Sequence, residues 1–311
     1  MNKIILISIA VFLSESSLFA QVKNICLSYD DMPVVTYGIS DTTYQKTLMN
    51  KLASSLQRNH IPAIGFVIGS KLCKDHGMDS FQIRLLDIWL SHGMELGNHS
   101  FSHPDYNQVS CESYTNDILK AGDELKPFLK SRGKKLKYFR HPFLHVGSNA
   151  AKADSLQNFL NRNGYTVAPV TIDNEDYLFA LAYKRAGDRQ DSALMKKIGH
   201  DFVDYIGRKI KYYEKQCLAL FGRNVNHILL LHASKMNADY ADSFAAMLKE
   251  NQYHFISMDQ ALTDEAYLSP ITVYGKWGIS WIDKWALSKG KKGEFFRDEP
   301  STPEYIRGLA K

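Results

Sequence analysis

Apolar and polar positions along this chain follow two rhythms, and the switches between them outline a fold. Ile25-Cys26-Leu27 leads into Ser28-Tyr29-Asp30-Asp31-Met32-Pro33 and reads as an apolar strand with a proline stop. Leu48, Leu52 and Leu56 then recur at helical spacing within 43–60. The pattern next predicts a strand over 62–69, a helix over 81–92 ending at Gly93, and a strand over 94–98. An amphipathic helix over 112–132 stops at Gly133, and 136–143 reads as a strand. A helix over 153–163 is closed by Gly164 and followed by a strand over 166–172. Helices over 177–186 and 191–220 are longer than a simple crossover needs. A strongly apolar strand over 227–232, a helix over 241–251 and a last strand over 254–258 complete the series. Strands alternating with helices predict an α/β fold, a parallel sheet of about seven strands with helices outside, open or closed into a barrel.

In such sheets, functional residues gather at the carboxyl ends of the strands. The chemistry-bearing residues of this chain fall at or just past those ends. The 94–98 strand runs into His99-Ser100-Phe101-Ser102-His103. Two imidazoles four residues apart can converge on a divalent cation, whose Zn–N distances are about 2.0–2.1 Å. Pro104 disfavours a helical His103, so a strand-end turn is predicted, with Ser100 orienting it. A third ligand should come from another strand end, and Asp30-Asp31 is the best candidate. Neighbouring strand side chains point to opposite faces. Two adjacent aspartates therefore share one site only where the strand is ending. One carboxylate could then hold the cation while the other serves as a base.

The order of these stretches resembles a known family. A strand ending in Asp30-Asp31, His99 and His103 in an H-S-x-x-H pattern, Arg140-His141-Pro142-Phe143, Asp173-Asn174-Glu175-Asp176-Tyr177 and Leu229-Leu230-Leu231-His232 are similar to the five motifs of the polysaccharide deacetylases, the NodB-homology group or carbohydrate esterase family 4. The resemblance covers roughly residues 22–262 and implies an irregular (β/α)7 barrel. It implies a metal-dependent deacetylase acting on N-acetyl groups of a polysaccharide, a peptidoglycan or chitin-like N-acetylglucosamine polymer. One divalent metal ion would be held by Asp31, His99 and His103. Zinc suits that donor set, and cobalt, nickel or iron would fit the same ligands. By the same resemblance Asp30 is the base, paired with Arg140. The backbone N–H of Phe143, on a turn set by Pro142, binds the oxyanion, and His232 is the acid. The family's paired aspartate precedes an aromatic residue, which selects Asp176 before Tyr177 as the partner of His232, with Asp173 in reserve.

The chain departs from the family at Met32 and Leu144, where glycine is usual, and at Tyr177, where tryptophan is usual. All three are expected to shape the pocket wall. Rival substrates are O-acetyl groups on xylan or another polymer, or a small cyclic amide, and a pocket narrowed by Met32 and Leu144 would favour a short one. A non-catalytic carbohydrate-binding protein is the other rival. Against it, every proposed ligand, base and acid is present.

Composition adds a compartment. Met1-Asn2-Lys3, an apolar run from Ile4 to Leu13 and Leu18-Phe19-Ala20 before Gln21 have the layout of a secretory signal peptide. The apolar run is about half of what spans a bilayer. The predicted organisation is a signal peptide over 1–20, a deacetylase-like barrel domain over 21–262 and a C-terminal extension over 263–311 packed on the barrel. Export to the periplasm or the extracellular space follows, with no membrane span in the mature chain. A net charge of +5, from 38 basic and 33 acidic residues, does not argue for nucleic acid and is compatible with an anionic cell-wall polymer. The four cysteines, Cys26, Cys73, Cys111 and Cys217, contain no C-x-x-C, so no zinc cluster is expected. They read mostly as buried thiols with at most one pair. Trp277, Trp281 and Trp285 recur every fourth residue, which would stack them along one helical face. They would either clamp the tail onto the barrel or offer a sugar-stacking platform.

Overall fold

The computed structural model describes residues 22–74 and 77–311. The signal-peptide stretch lies outside the described residues. In chain order the first half runs β1 (Lys23–Val35), α1 (Thr42–Arg58), β2 (Ile64–Val67), the small hairpin β3 (Cys73–Lys74) and β4 (Gly77–Met78), α2 (Ser80–Ser91), β5 (Glu95–Asn98), α3 (Cys111–Lys130) and β6 (Tyr138–Phe139). The second half runs α4 (Ala150–Arg162), β7 (Thr166–Val167), α5 (Asp176–Asp188), α6 (Ser192–Phe221), β8 (His227–Ser234), α7 (Lys235–Glu250), β9 (Tyr253–Phe255) and the short helices α8 (Met258–Ala261), α9 (Trp281–Ser288) and α10 (Glu304–Leu309).

Seven strands form one sheet in the order β7-β6-β5-β2-β1-β8, with β9 beside the start of β1. The pairings are parallel throughout. Past β7, Ile172 makes a parallel bridge to Leu229 on the free side of β8, which brings the sheet round on itself. This is the irregular seven-stranded α/β barrel that the alternating pattern and the motifs predicted. The central strands are buried on both faces, and this explains their continuous apolar runs, such as Ile228 to Leu231. The helices begin on side-chain caps: Asp41, Asp79, Ser110, Asn149, Asp191 and Ser234 each accept a hydrogen bond from a backbone N–H in the first turn that follows.

Several expectations change; the strand predicted over 166–172 shortens to Thr166–Val167. The strand predicted over 136–143 shrinks to Tyr138–Phe139, because the chain turns into a 3-10 segment at Pro142–Leu144 with Phe143 and Leu144 at φ 56° and 54°. The cysteines do not pair. Cys26 and Cys217 are buried free thiols, Cys111 is half-buried and Cys73 is exposed. The three tryptophans do not share a helix face. Trp281 and Trp285 lie in α9 and are buried, whereas Trp277 precedes the helix and stands 46% exposed. Gly278 to Ser280 interrupt the helical spacing, with Ser280 as the cap of α9.

The stretch over 263–311 wraps the barrel. The Trp281 backbone N–H donates to the Val170 carbonyl at 2.6 Å, and Tyr213 of α6 donates to Asp283 at 3.2 Å. Lys209 of α6 pairs with Glu299. At the chain's end Arg185 of α5 donates to the Leu309 carbonyl at 2.6 Å, and Arg307 pairs with Glu175 at 2.7 Å. Among the described residues no helix is long and apolar enough to cross a membrane.

Candidate active site

Asp30 and Asp31 share one cleft because the backbone turns over between them. β1 does not end there, as the sequence suggested; it continues to Val35. Asp31 instead takes a left-handed φ of 62°, and the register against β8 slips between Asp30 and Val35. A left-handed residue inside a strand breaks the two-residue alternation and throws both carboxylates to the same side. Lys71 supports this kink: its ammonium donates to the Asp31 carbonyl at 2.5 Å.

The histidine turn is built in the same way. Ser100 and His103 have φ of 65° and 56°. Such conformations cost about 1–3 kcal/mol each and persist only where surroundings enforce them. Three side chains do so here. Ser100 Oγ accepts from the His103 N–H at 3.1 Å. Asn98, fully buried, accepts from the Ser100 N–H at 2.7 Å and donates to the Ile118 carbonyl and Tyr165. Asp117 of α3 accepts from the backbone N–H groups of Phe101 and Ser102 at 2.7 and 2.9 Å.

Asp31 Oδ1 then lies 3.5 Å from Nε2 of both His99 and His103, and it has no hydrogen-bond partner. One donor atom from each of the three residues falls within 4.8 Å of the others. His99 Nδ1–H donates to the Arg140 carbonyl at 2.9 Å, so its Nε2 lone pair faces Asp31. Burial holds His99 and His103 neutral, each pushed down to about 4. For Asp31, burial pulls upward, but its cationic neighbours, His232 foremost and Lys71 with it, outweigh it and hold it below the usual range. Two neutral imidazoles and a carboxylate oxygen with no other partner fit a divalent cation with coordination positions to spare.

Asp30 sits beside this group. Its Oδ2 is 3.8 Å from His99 Nε2 and 3.6 Å from Arg140 Nη1, and its Oδ1 is unpartnered. Burial raises Asp30 to about 6 against the opposing charge of Arg140. Arg140 is completely buried, packs over the Phe66 ring at 4.6 Å and donates to Ser28 at 3.0 Å.

Across the cleft, His232 Nδ1–H donates to Asp176 Oδ1 at 2.7 Å. Asp173, the reserve candidate, lines the same cleft but makes no such contact; its side chain accepts from the Asn174 N–H instead. Asp176 Oδ2 also accepts from the His232 backbone N–H at 2.9 Å and from Asn237 at 2.7 Å. Burial works against a charged His232, but the Asp176 carboxylate more than offsets it and raises the imidazole to about 9. Phe143, at the head of its left-handed turn, meets His103 edge-on at a ring separation of 4.5 Å.

These groups line a cleft of about 580 Å³ together with Tyr37, Leu144, Tyr177 and Gly278. The structure therefore brings together Asp30, Asp31, His99, His103, Phe143 and His232 in its lining, with Arg140, Pro142 and Asp176 behind them. Met32 is not in the wall, contrary to the sequence-based expectation. It is fully buried on the other side of the strand, against Gly65, where an added Cβ would come within 2.8 Å of it. Sequence reasoning missed Lys71, Asp117, Asn237 and Gly278. Each acts from a segment outside the motifs, and only the fold brings it near. Ser28 and Asn98 were in view, each directly beside a motif residue, but without any hint of their hydrogen bonds.

Fold and site together define a parallel α/β barrel with a His-His-Asp group that could hold a cation, flanked by an aspartate and an aspartate-held histidine. Residues 20–168, just under half of the chain, match the polysaccharide deacetylase family. The peptidoglycan-N-acetylglucosamine deacetylase PgdA of Listeria monocytogenes is 25% identical over 241 residues, which are 76% of this chain and 38% of that protein. The chain thus spans well under half the length of the curated relatives it matches. Among solved structures, the peptidoglycan deacetylase PdaC from Bacillus subtilis superposes with a TM-score of 0.50 at 23% identity, over 78% of this chain and 91% of that one. A mutant, with restored enzymatic activity, of a CE4 family pseudoenzyme from Bacillus anthracis gives 0.51 at 15% identity, over 78% and 68%. At these identities the likeness establishes the fold.

Proposed function

We propose that this protein is an exported deacetylase that removes N-acetyl groups from an N-acetylglucosamine polymer, peptidoglycan or a chitin-like chain. The observation that carries the reading is the unpartnered Asp31 oxygen, equidistant from two neutral imidazoles at 3.5 Å, with a free carboxylate on one side and a charged histidine on the other. Asp31, His99 and His103 would hold the metal. When bound, a divalent cation polarises the acetyl carbonyl and lowers the pKa of a water in the same cleft. Asp30, with its Oδ1 unpaired, accepts the proton from the attacking water as the new C–O bond forms. Arg140 keeps Asp30 in place from below. The backbone N–H of Phe143 stabilises the developing oxyanion, an interaction of about 3–4 kcal/mol in the barrier. His232 gives its Nε2 proton to the sugar nitrogen as the C–N bond breaks. The products are acetate and a free amine.

The relatives named for peptidoglycan deacetylation support the substrate class, as does the leader-like segment over 1–20 for export. The narrowed pocket that would have favoured a small amide loses its main support with Met32 in the core. The test is acetate release by the chain from Gln21 onward, with zinc or cobalt added, from peptidoglycan and chitooligosaccharides. Metal per chain is measured alongside. Asp30→Asn should abolish release while retaining metal, and His99→Ala should lose both. Release that survives Asp30→Asn would overturn the mechanism. Wild type with neither bound metal nor release would overturn the function.

A further inference from the structure

Among the described residues, the large aromatic side chains that stand exposed are Phe143 at 53%, Tyr177 at 46% and Trp277 at 46%. The first two line the catalytic cleft, one meeting His103 and the other His232 edge-on. The third comes from the C-terminal extension and is tied to the same place through its backbone. Its neighbour Gly278 lines the cleft and lies so tightly on the Phe143 turn that an added Cβ would fall 1.9 Å from the Phe143 carbonyl oxygen. This anchors the tail at the mouth, on the Phe143 side. The Trp277 indole is itself supported: it folds back over Gly275, where a Cβ would meet the ring at 2.5 Å.

The other two tryptophans of the tail account for its attachment. Trp281 and Trp285 are buried in the core, and the Trp281 backbone holds Val170. Trp277 adds little to that clamp. A large ring that is both braced and half in water has a different use. Its apolar face can cover the axial C–H face of a pyranose, and bracing in advance means little freedom is lost on binding.

We infer that Trp277 is a specificity-determining platform for the sugar unit next to the one being deacetylated, on the Phe143 side of the cleft. This rests on the N-acetylglucosamine-polymer reading above and deepens it. The site would take a β-linked oligosaccharide rather than a single sugar, with the tail completing the polymer-binding surface.

The test uses the mature chain carrying Asp30→Asn, so that ligand is not consumed. Binding of N-acetylglucosamine and of its β-linked tetramer is measured by calorimetry, with and without Trp277→Ala. The tetramer should bind about 5- to 10-fold more weakly to the Trp277→Ala chain, the scale of one aromatic stacking contact. Trp277→Phe should recover most of that loss, and the single sugar should be unaffected. Equal tetramer affinity with and without the indole overturns the inference, as does an equal loss for the single sugar. The two readings separate cleanly. A wild type that releases acetate but binds the tetramer without help from Trp277 overturns this inference alone. A chain that binds the tetramer through Trp277 but releases no acetate, with Asp30 intact, overturns the deacetylase reading alone.

Discussion

The two sides of the cleft use the same side chain for opposite ends. His99 and His103 share the Asp31 carboxylate without a hydrogen bond to it, and burial drives both down to about 4. His232 is also enclosed, but Asp176 is fully buried, in contact at 2.7 Å and fixed by two further donors, and the imidazole rises to about 9. The difference lies in geometry rather than residue type. A carboxylate 3.5 Å away and shared between two rings does not compensate for desolvation, whereas one in hydrogen-bond contact with a single ring does. The cleft thereby holds two neutral imidazoles and a charged one at the same pH.

The comparison breaks most visibly if the contact carboxylate is removed. Asp176→Asn should lower kcat/KM by roughly 10²-fold or more, the range for losing a general acid. It should also move the alkaline limb of the pH profile. A His232 raised above its unfolded value is protonated, and adds stability, fully below about 6.5, and this is lost as pH rises through about 9. Without the carboxylate the limb should fall well below 9 toward the ordinary histidine range, while zinc content stays at the wild-type level. A limb that does not move would mean that some other group gives the proton.

Ser100→Ala probes the opposite side. It removes the hydroxyl that accepts from the His103 N–H, a bond with a net value of about 1 kcal/mol. Zinc affinity, by competitive titration with a chelating dye, should weaken roughly 5-fold, with the alkaline limb in place. A limb shift with unchanged affinity would show that the two sides are not independent.

The smallest effect is expected at Arg307→Ala. The Arg307–Glu175 pair is partly exposed, next to Asp176 in sequence, and such pairs contribute at most about 1 kcal/mol. Urea unfolding should shift slightly, less so in high salt, and the pH profile should not change. A large change in that profile would mean that the surface network, not the buried contact, tunes His232.

Much of this was legible in the sequence. The alternation of apolar strands with amphipathic helices predicted a parallel sheet with helices outside, because a sheet buried on both faces leaves continuous apolar runs, and the resemblance of the motifs implied its closure into a barrel. The histidine pair and the paired aspartates stood out at strand ends, whereas the rest of the motif residues were picked out by that resemblance. What the sequence did not reveal were backbone reversals. Asp31, Ser100, His103 and Phe143 all have left-handed φ, and none is a glycine that would have announced it. The tryptophan spacing suggested one helix face, but Gly278 and the Ser280 cap ended the periodicity before Trp277. Supporting groups such as Asn237 and Asp117 carry no local signal, since their meaning lies in contacts between distant segments.

The Gly278–Phe143 contact bears on how freely this chain could be recombined. The φ of Gly278 lies outside the left-handed region, so a designer could take it for a permissive loop site. A Cβ there would fall 1.9 Å from the Phe143 carbonyl oxygen, so any other residue would push the turn aside. A chimera joined at residue 262 would bring a foreign tail against a turn shaped for this one. Barrel and extension are therefore best exchanged as a matched set, and variation at 143 and 278 is expected to travel together.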